Sequence, residues 1–139
     1  MSTAGSVDPD VVALAAELAR KSGTCWLRRP GEPARAAWHV WHDDALCLVS
    51  GGEEQRLPPL EDGDRVEVLM RSTDTGGLAL TWLGRVSVVR PGDEAWPATT
   101  AALVAGRLNL RDLATAPDRW ARESTVHRIT PTGEAVDSR

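Results

Sequence analysis

Arg35 and Arg56 flank one stretch of the chain, and Ser50-Gly51-Gly52 lies between them. That combination suits an anion. A guanidinium grips phosphate or carboxylate through two parallel N–H bonds. A glycine-rich loop presents bare backbone N–H groups. Together these residues suit a phosphate of about −2 charge. The aromatic residues suit the rest of such a ligand. There are six Trp, with no Tyr and no Phe. Trp26, Trp38, Trp41 and Trp82 fall on expected strands, where Trp supplies core mass. Trp41 and Trp82 are the candidates to stack on a flat ring.

Other chemistries find little support. There is no GxGxxG, no P-loop and no HExxH, and no serine sits in a nucleophile elbow. His39 and His42 are three apart, a spacing that on a strand points to opposite faces, so they cannot share one metal unless the turn at His42 reorganises. No cluster of cysteines or carboxylates completes a metal site around either, and none is expected. His39 reads as a hydrogen-bonded strand residue. Cys25 and Cys47 lack CxxC spacing and read as reduced, buried thiols. No catalytic acid or base can be named.

The net charge is −4, from 16 basic and 20 acidic residues. That argues against nucleic-acid binding driven by phosphate neutralisation, which needs a basic face. No apolar run reaches the ~18 residues of a membrane span, and Met1 to Asp10 lacks the features of a secretory signal. A cytoplasmic protein is expected. At 139 residues the chain reads as a single domain, 1–139, with an ordered core over about 7–131 and a disordered tail from Thr132 to Arg139.

The elements that position these residues follow from periodicity. Asp8 is a good N-cap and Pro9 a good first helical residue. Val11, Leu14 and Leu18 then mark the apolar face of an N-terminal helix. From Thr24 the period becomes two. Strands are expected at Thr24–Arg29, Ala34–Trp41, Ala45–Ser50, Asp64–Arg71 and Leu78–Val89. In the second of these, Arg35, Ala37, His39 and Trp41 share one face. Ala45–Ser50 is apolar on both faces and should be central. Val66, Val68 and Met70 should point inward. Gly84 marks a bulge or a close backbone approach. A helix is expected over Asp93–Arg107, a second short one around Trp120, and a last strand over Ser124–Thr130, closed by Pro131. The fold class is mainly β: an antiparallel barrel with an N-terminal helix and helix before the last strand.

Three stretches carry a resemblance. They are Pro33-Ala34-Arg35-Ala36-Ala37-Trp38-His39-Val40-Trp41 with Ala45-Leu46-Cys47-Leu48-Val49-Ser50, then Thr81-Trp82-Leu83-Gly84-Arg85-Val86-Ser87-Val88-Val89, then Val126-His127-Arg128-Ile129-Thr130-Pro131. They are similar to the first long hairpin, a later strand and the closing strand of the pyridoxamine 5′-phosphate oxidase-like split β-barrel family. The resemblance spans roughly Val7 to Thr132.

It implies a homodimer with FMN in the cleft between protomers, and a flavin-dependent oxidoreductase. Arg35 matches the family's phosphate-binding Arg. Val40 stands where a Lys would be, and Glu54-Gln55-Arg56 stands where Ser-Arg-Lys would be. The residues implied at the cofactor are Arg35, Ser50, Gln55 and Arg56 near the phosphate, and Trp41 or Trp82 near the ring. Glu54 must point away for a phosphate to bind there. Two other readings stay open. One is a module that binds F420, haem or another anionic planar ligand, with His39, His42 and His127 as the available imidazoles. The other is a dimeric barrel with no cofactor.

Overall fold

A computed structural model of the chain describes residues 8–106 and 114–136. Helix α1 spans Pro9–Lys21. Asp8 caps it as expected, its carboxylate accepting from the Asp10 N–H at 2.9 Å. Ala15, Ala16, Leu18 and Ala19 form its buried face. Leu14, expected on that face, is 38% exposed. The stripe is rotated toward the alanines, whose small side chains let the helix approach the sheet closely.

The strands are β1 (Thr24–Arg28), β2 (Arg35–Trp38), β3 (Val40–His42), β4 (Ala45–Ser50), β5 (Arg65–Arg71), β6 (Leu78–Val89) and β7 (Thr125–Ala135). Helices α2 (Trp96–Gly106) and α3 (Ala116–Glu123) lie between β6 and β7. Every pairing is antiparallel, in the order β2-β1-β5-β6-β7-β4-β3. Strands β2 and β3 are two parts of the single run 35–42. The two edges of the sheet are therefore one segment of chain, and the sheet curls until it meets itself. The change of partner falls at one residue. Trp38 is still opposite Thr24 of β1, and Val40 is already opposite Cys47 of β4. The His39 N–H between them goes to the Gly23 carbonyl at 2.9 Å.

Alternation along the strands builds two cores. Val66, Val68, Met70, Trp82, Val86, Leu46, Leu48 and Ile129 point into the barrel, where α1 adds Ala15, Leu18 and Ala19. Cys47, Val49, Val89 and Val126 point outward and are covered by Leu103 of α2 and Ala116 and Trp120 of α3. Both faces of β4 are thus buried, which is why all six of its residues are apolar or small. Asp43 and Asp44 turn β3 into β4 with φ of 51° and 61°, the left-handed pair that a two-residue hairpin requires. Gly84 is a close approach: a Cβ there would lie 2.3 Å from Ile129 Cγ2. The register also shifts between Trp82 and Gly84.

One boundary differs from expectation. The last strand does not close at Pro131, and Thr132–Ala135 is not tail. Pro131 is buried opposite Gly84, and Ala135 is opposite Trp82. Proline costs a strand one N–H donor, and the register shift on β6 falls beside it. Gly133, with φ of 90°, then lets the strand continue. The Val136 N–H bonds the Thr81 carbonyl at 2.8 Å. Among the described residues no helix is long and apolar enough to cross a membrane.

Candidate functional site

The glycine loop after β4 is built from three anchors. The Gly51 N–H bonds the Gln55 carbonyl at 2.9 Å, and the Glu54 N–H bonds the Gly51 carbonyl at 3.0 Å, so the loop closes on itself. Gly51 and Gly52 have φ of 87° and 63°. A Cβ on Gly52 would lie 3.0 Å from Glu123 Cβ. These glycines thus bring the loop against the end of α3, and the Ser124 hydroxyl fixes it there, donating to the Gly51 carbonyl at 3.0 Å.

The second anchor is Gln55. Its amide oxygen accepts from the Trp38 N–H at 2.7 Å, and its amide nitrogen donates to the Trp38 carbonyl at 2.8 Å and the Val49 carbonyl at 3.3 Å. The side chain acts as one more peptide unit at the place where the strand changes partner. It satisfies backbone groups that the ladder leaves open. The third anchor is Glu54, whose side chain is only 2% exposed. Its Oε2 accepts from Arg119 Nη1 at 3.2 Å and from Trp120 Nε1 at 3.1 Å. The carboxylate is turned into α3, neutralised there, and away from solvent.

The nominated residues divide on this geometry. Arg35 starts β2 and is exposed, and Arg56 follows Gln55 and is exposed. Both guanidinium groups are available to an anion. Gln55 is committed to backbone, so it braces the loop. Ser50 is buried at the end of β4, opposite Thr125. Trp41 is half-buried on β3, against the barrel core. Trp82 is fully enclosed inside the barrel, its indole N–H 3.5 Å from Met70 Sδ. It has no surface to offer a ring stacked from outside the closed barrel.

The histidines divide as well. His39 and His127 are buried, and burial holds both imidazoles below their ordinary range. His42, at the end of β3, is half-buried. Burial pushes the Cys25 thiol up to about 12. It also pushes Cys47 up to about 11, although Arg128 pulls the other way. Both stay as thiols at neutral pH, which removes them as nucleophiles. Among the described residues no group of three His, Cys, Asp or Glu is placed to hold a metal ion.

A groove of ≈ 600 Å³ lies between Leu60–Asp62, the end of β6 and Trp96. Ser124 lines it and also holds the glycine loop. None of the nominated residues lines this groove. Its members come from segments 26 or more residues apart, and no local spacing marks them.

No family model matches the sequence, and no curated protein matches it either. Two solved structures share its fold. One is HutZ, the heme storage protein from Vibrio cholerae: 15% identical, covering 87% of this chain and 89% of that one, with a TM-score of 0.53. The other is a conserved hypothetical protein, Rv2991, from Mycobacterium tuberculosis: 20% identical, covering 86% and 79%, with a TM-score of 0.57. The seven antiparallel strands, the closure through the run 35–42 and these two likenesses together identify the fold as a split β-barrel.

Proposed function

We propose that this chain is a binding module for an anionic planar cofactor, with FMN as its first ligand and the phosphate held by Arg35 and Arg56. One observation carries the reading. Gln55 clasps the strand at Trp38, three residues from Arg35, and hands the chain on to Arg56. Of the two adjacent carboxylates in the loop, Glu54 faces Arg119 and Trp120 instead of a phosphate, and Glu53 is exposed. Arg35 and Arg56 are exposed and give the site two cations against the one exposed carboxylate of Glu53. The exposed edge of Trp41 is the aromatic surface nearest this description. The flavin would supply the hydride chemistry of an oxidoreductase when bound, and the chain's own task is to bind and orient it.

A flavin fluorescence titration tests this. Saturable quenching is expected, and each charge-assisted phosphate contact contributes about 1.5–3 kcal/mol. The double variant Arg35→Ala/Arg56→Ala should therefore bind at least about 100-fold more weakly. Equal affinity in wild type and double variant would remove both arginines from the site. F420 shares the phosphate and the flat ring, and competition against FMN distinguishes the two.

Haem is the second reading, favoured by the likeness to a heme storage protein. Here the fold narrows three imidazoles to one. His39 and His127 are enclosed, and His42 alone is partly open. His42→Ala should abolish the Soret band of a hemin complex, and an unchanged band would exclude His42 as the ligand. If neither FMN nor hemin binds, the cofactor-free barrel is the reading that survives.

A homodimer is part of the same proposal. Among the described residues, no helix covers the outer face of β1, β5 and β6. Trp26, Leu69 and Leu83 lie half-buried on it, and Leu78 at the head of β6 is 47% exposed. A second copy seated there would cover this surface and form the shared cleft. Sedimentation should give twice the 15.0 kDa of one chain. A monomer at micromolar concentration would remove the cleft model while leaving single-chain binding open.

A further inference from the structure

Two of the three histidines lie inside the barrel, and both are used in the same way. His39 Nε2 is 3.1 Å from the carbonyl oxygen of Ala19, in the last turns of α1. His127 Nε2 is 3.1 Å from the carbonyl oxygen of Leu60, in the segment leading into β5. A ring nitrogen facing a carbonyl carries the proton, so each neutral ring is the Nε2–H tautomer. Each Nδ1 is then a bare acceptor, buried and without a partner.

The two bonds close opposite ends of the barrel. β1 and β5 are antiparallel neighbours, so the segments that lead into them lie at opposite ends. α1 leads into β1 and inserts Ala15, Leu18 and Ala19 into the barrel core. Segment 57–64 leads into β5 and inserts Leu60. A buried imidazole ties each end plug to the wall, and segment 57–64 is held to β6 as well, by the Gly63 N–H to the Val86 carbonyl and the Val86 N–H to the Asp64 carbonyl, both at 2.8 Å.

We propose that His39 and His127 are acid-released latches, whose protonation frees α1 and segment 57–64 and opens the barrel interior. Protonation puts a charge and a new Nδ1–H donor into an apolar site, which disfavours the closed state. At His39 burial is the larger influence, and the carbonyls of Ala19 and Ser22 oppose it. At His127 burial again dominates, opposed by the Leu60 carbonyl. No charged side chain contributes to either ring. On α1, Glu17 and Lys21 pair with each other on the outer side, and Asp10 and Arg20 are exposed. Asp62 holds the Val88 N–H and Arg90, Arg128 holds the Asp43 carbonyl, and Glu61 is exposed. Arg65, Glu67 and Arg71 of β5 alternate with the inward residues and face outward.

The sign follows from linkage. Both rings sit below the ordinary imidazole value of 6.5 in the closed state, so the open state binds more protons. Closure is fully supported above pH 6.5 and is lost as the pH falls through the closed-state values. For one histidine the open fraction can rise by up to about 30-fold between neutral pH and pH 5.

Hydrogen exchange on the full chain, corrected for the intrinsic effect of pH, tests this. At pH 5, α1 and segment 57–64 should lose protection while β4 and β7 keep it. His39→Gln retains a nitrogen donor for the Ala19 carbonyl but does not titrate, so it should keep α1 protected at pH 5. His127→Gln should do the same for segment 57–64. Protection unchanged down to pH 5 would overturn the proposal. So would identical acid loss in the glutamine variants, or loss across all strands together. If those variants fail to fold at neutral pH, an NMR titration of the wild-type imidazole carbons decides. Opening that tracks ring protonation supports the latches, and opening with both rings still neutral refutes them.

Discussion

Glu54→Ala is expected to destabilise the protein by about 3–5 kcal/mol, the range for removing one partner of a buried ion pair. The carboxylate is 2% exposed and Arg119 13% exposed. The variant deletes the acceptor that the Trp120 indole N–H and the Arg119 guanidinium share. It also cuts the tie between the loop after β4 and α3, two segments about 65 residues apart in the chain. Glu54→Gln keeps an oxygen for the indole and gives up only the charge, so it should lose roughly half as much, since hydrogen bonds to charged groups are about twice as strong as neutral ones. Urea denaturation reads both as a fall in midpoint at constant slope. A loss below about 1 kcal/mol for Glu54→Ala would class the contact with ordinary surface pairs. Loop and stability are linked, so any flavin or hemin affinity should fall with Glu54→Ala even though Glu54 touches no ligand in the proposed site.

The barrel was largely legible because alternation is a local signal. Val66, Val68 and Met70 on β5 read inward and are inward, and the two-faced apolar run Ala45–Ser50, expected to be central, is paired on both sides and buried on both faces, next to last in the strand order. The same alternation on β6 groups Trp82 with Leu80, Gly84 and Val86, so its burial was available to the sequence reading too. What alternation cannot report is partner choice. Ala34–Trp41 reads as one strand; that the run serves two neighbours and closes the barrel depends on β1 and β4, which lie far apart in the chain and pair with its two halves. The loop roles were hidden for the same reason. Gln55 looks like a phosphate donor until Trp38 and Val49 are beside it. Glu54 looks repulsive until Trp120 is beside it. Pro131 is an ordinary strand terminator, and only the shifted register opposite Gly84 shows why the strand passes through it.

Trp82→Ala should separate the structural from the ligand-stacking reading of that residue. The side chain is 0% exposed and sits among Val66, Val68, Met70 and Ile129 in the barrel core. Emptying such a site removes the transfer energy and leaves a cavity, for a loss of about 3–5 kcal/mol. For a domain of this size that is a fall of about 10–15 °C in Tm. The indole N–H is matched only by the soft Met70 sulfur at 3.5 Å, so Trp82→Phe, which fills most of the volume and gives up that weak bond, should lose much less. Ligand affinity measured below the lowered Tm completes the test. A wall residue lets affinity persist in Trp82→Phe and fall in Trp82→Ala only as far as the barrel loosens. A stacking residue gives the reverse ordering: little change in Tm, and weak binding in Trp82→Ala. The closed interior, where Gly84 has no room even for a Cβ between Ile129 and Trp82, predicts the first pattern. It leaves Trp41, with one edge open on β3, as the tryptophan whose replacement should weaken a flat ligand without unfolding the barrel.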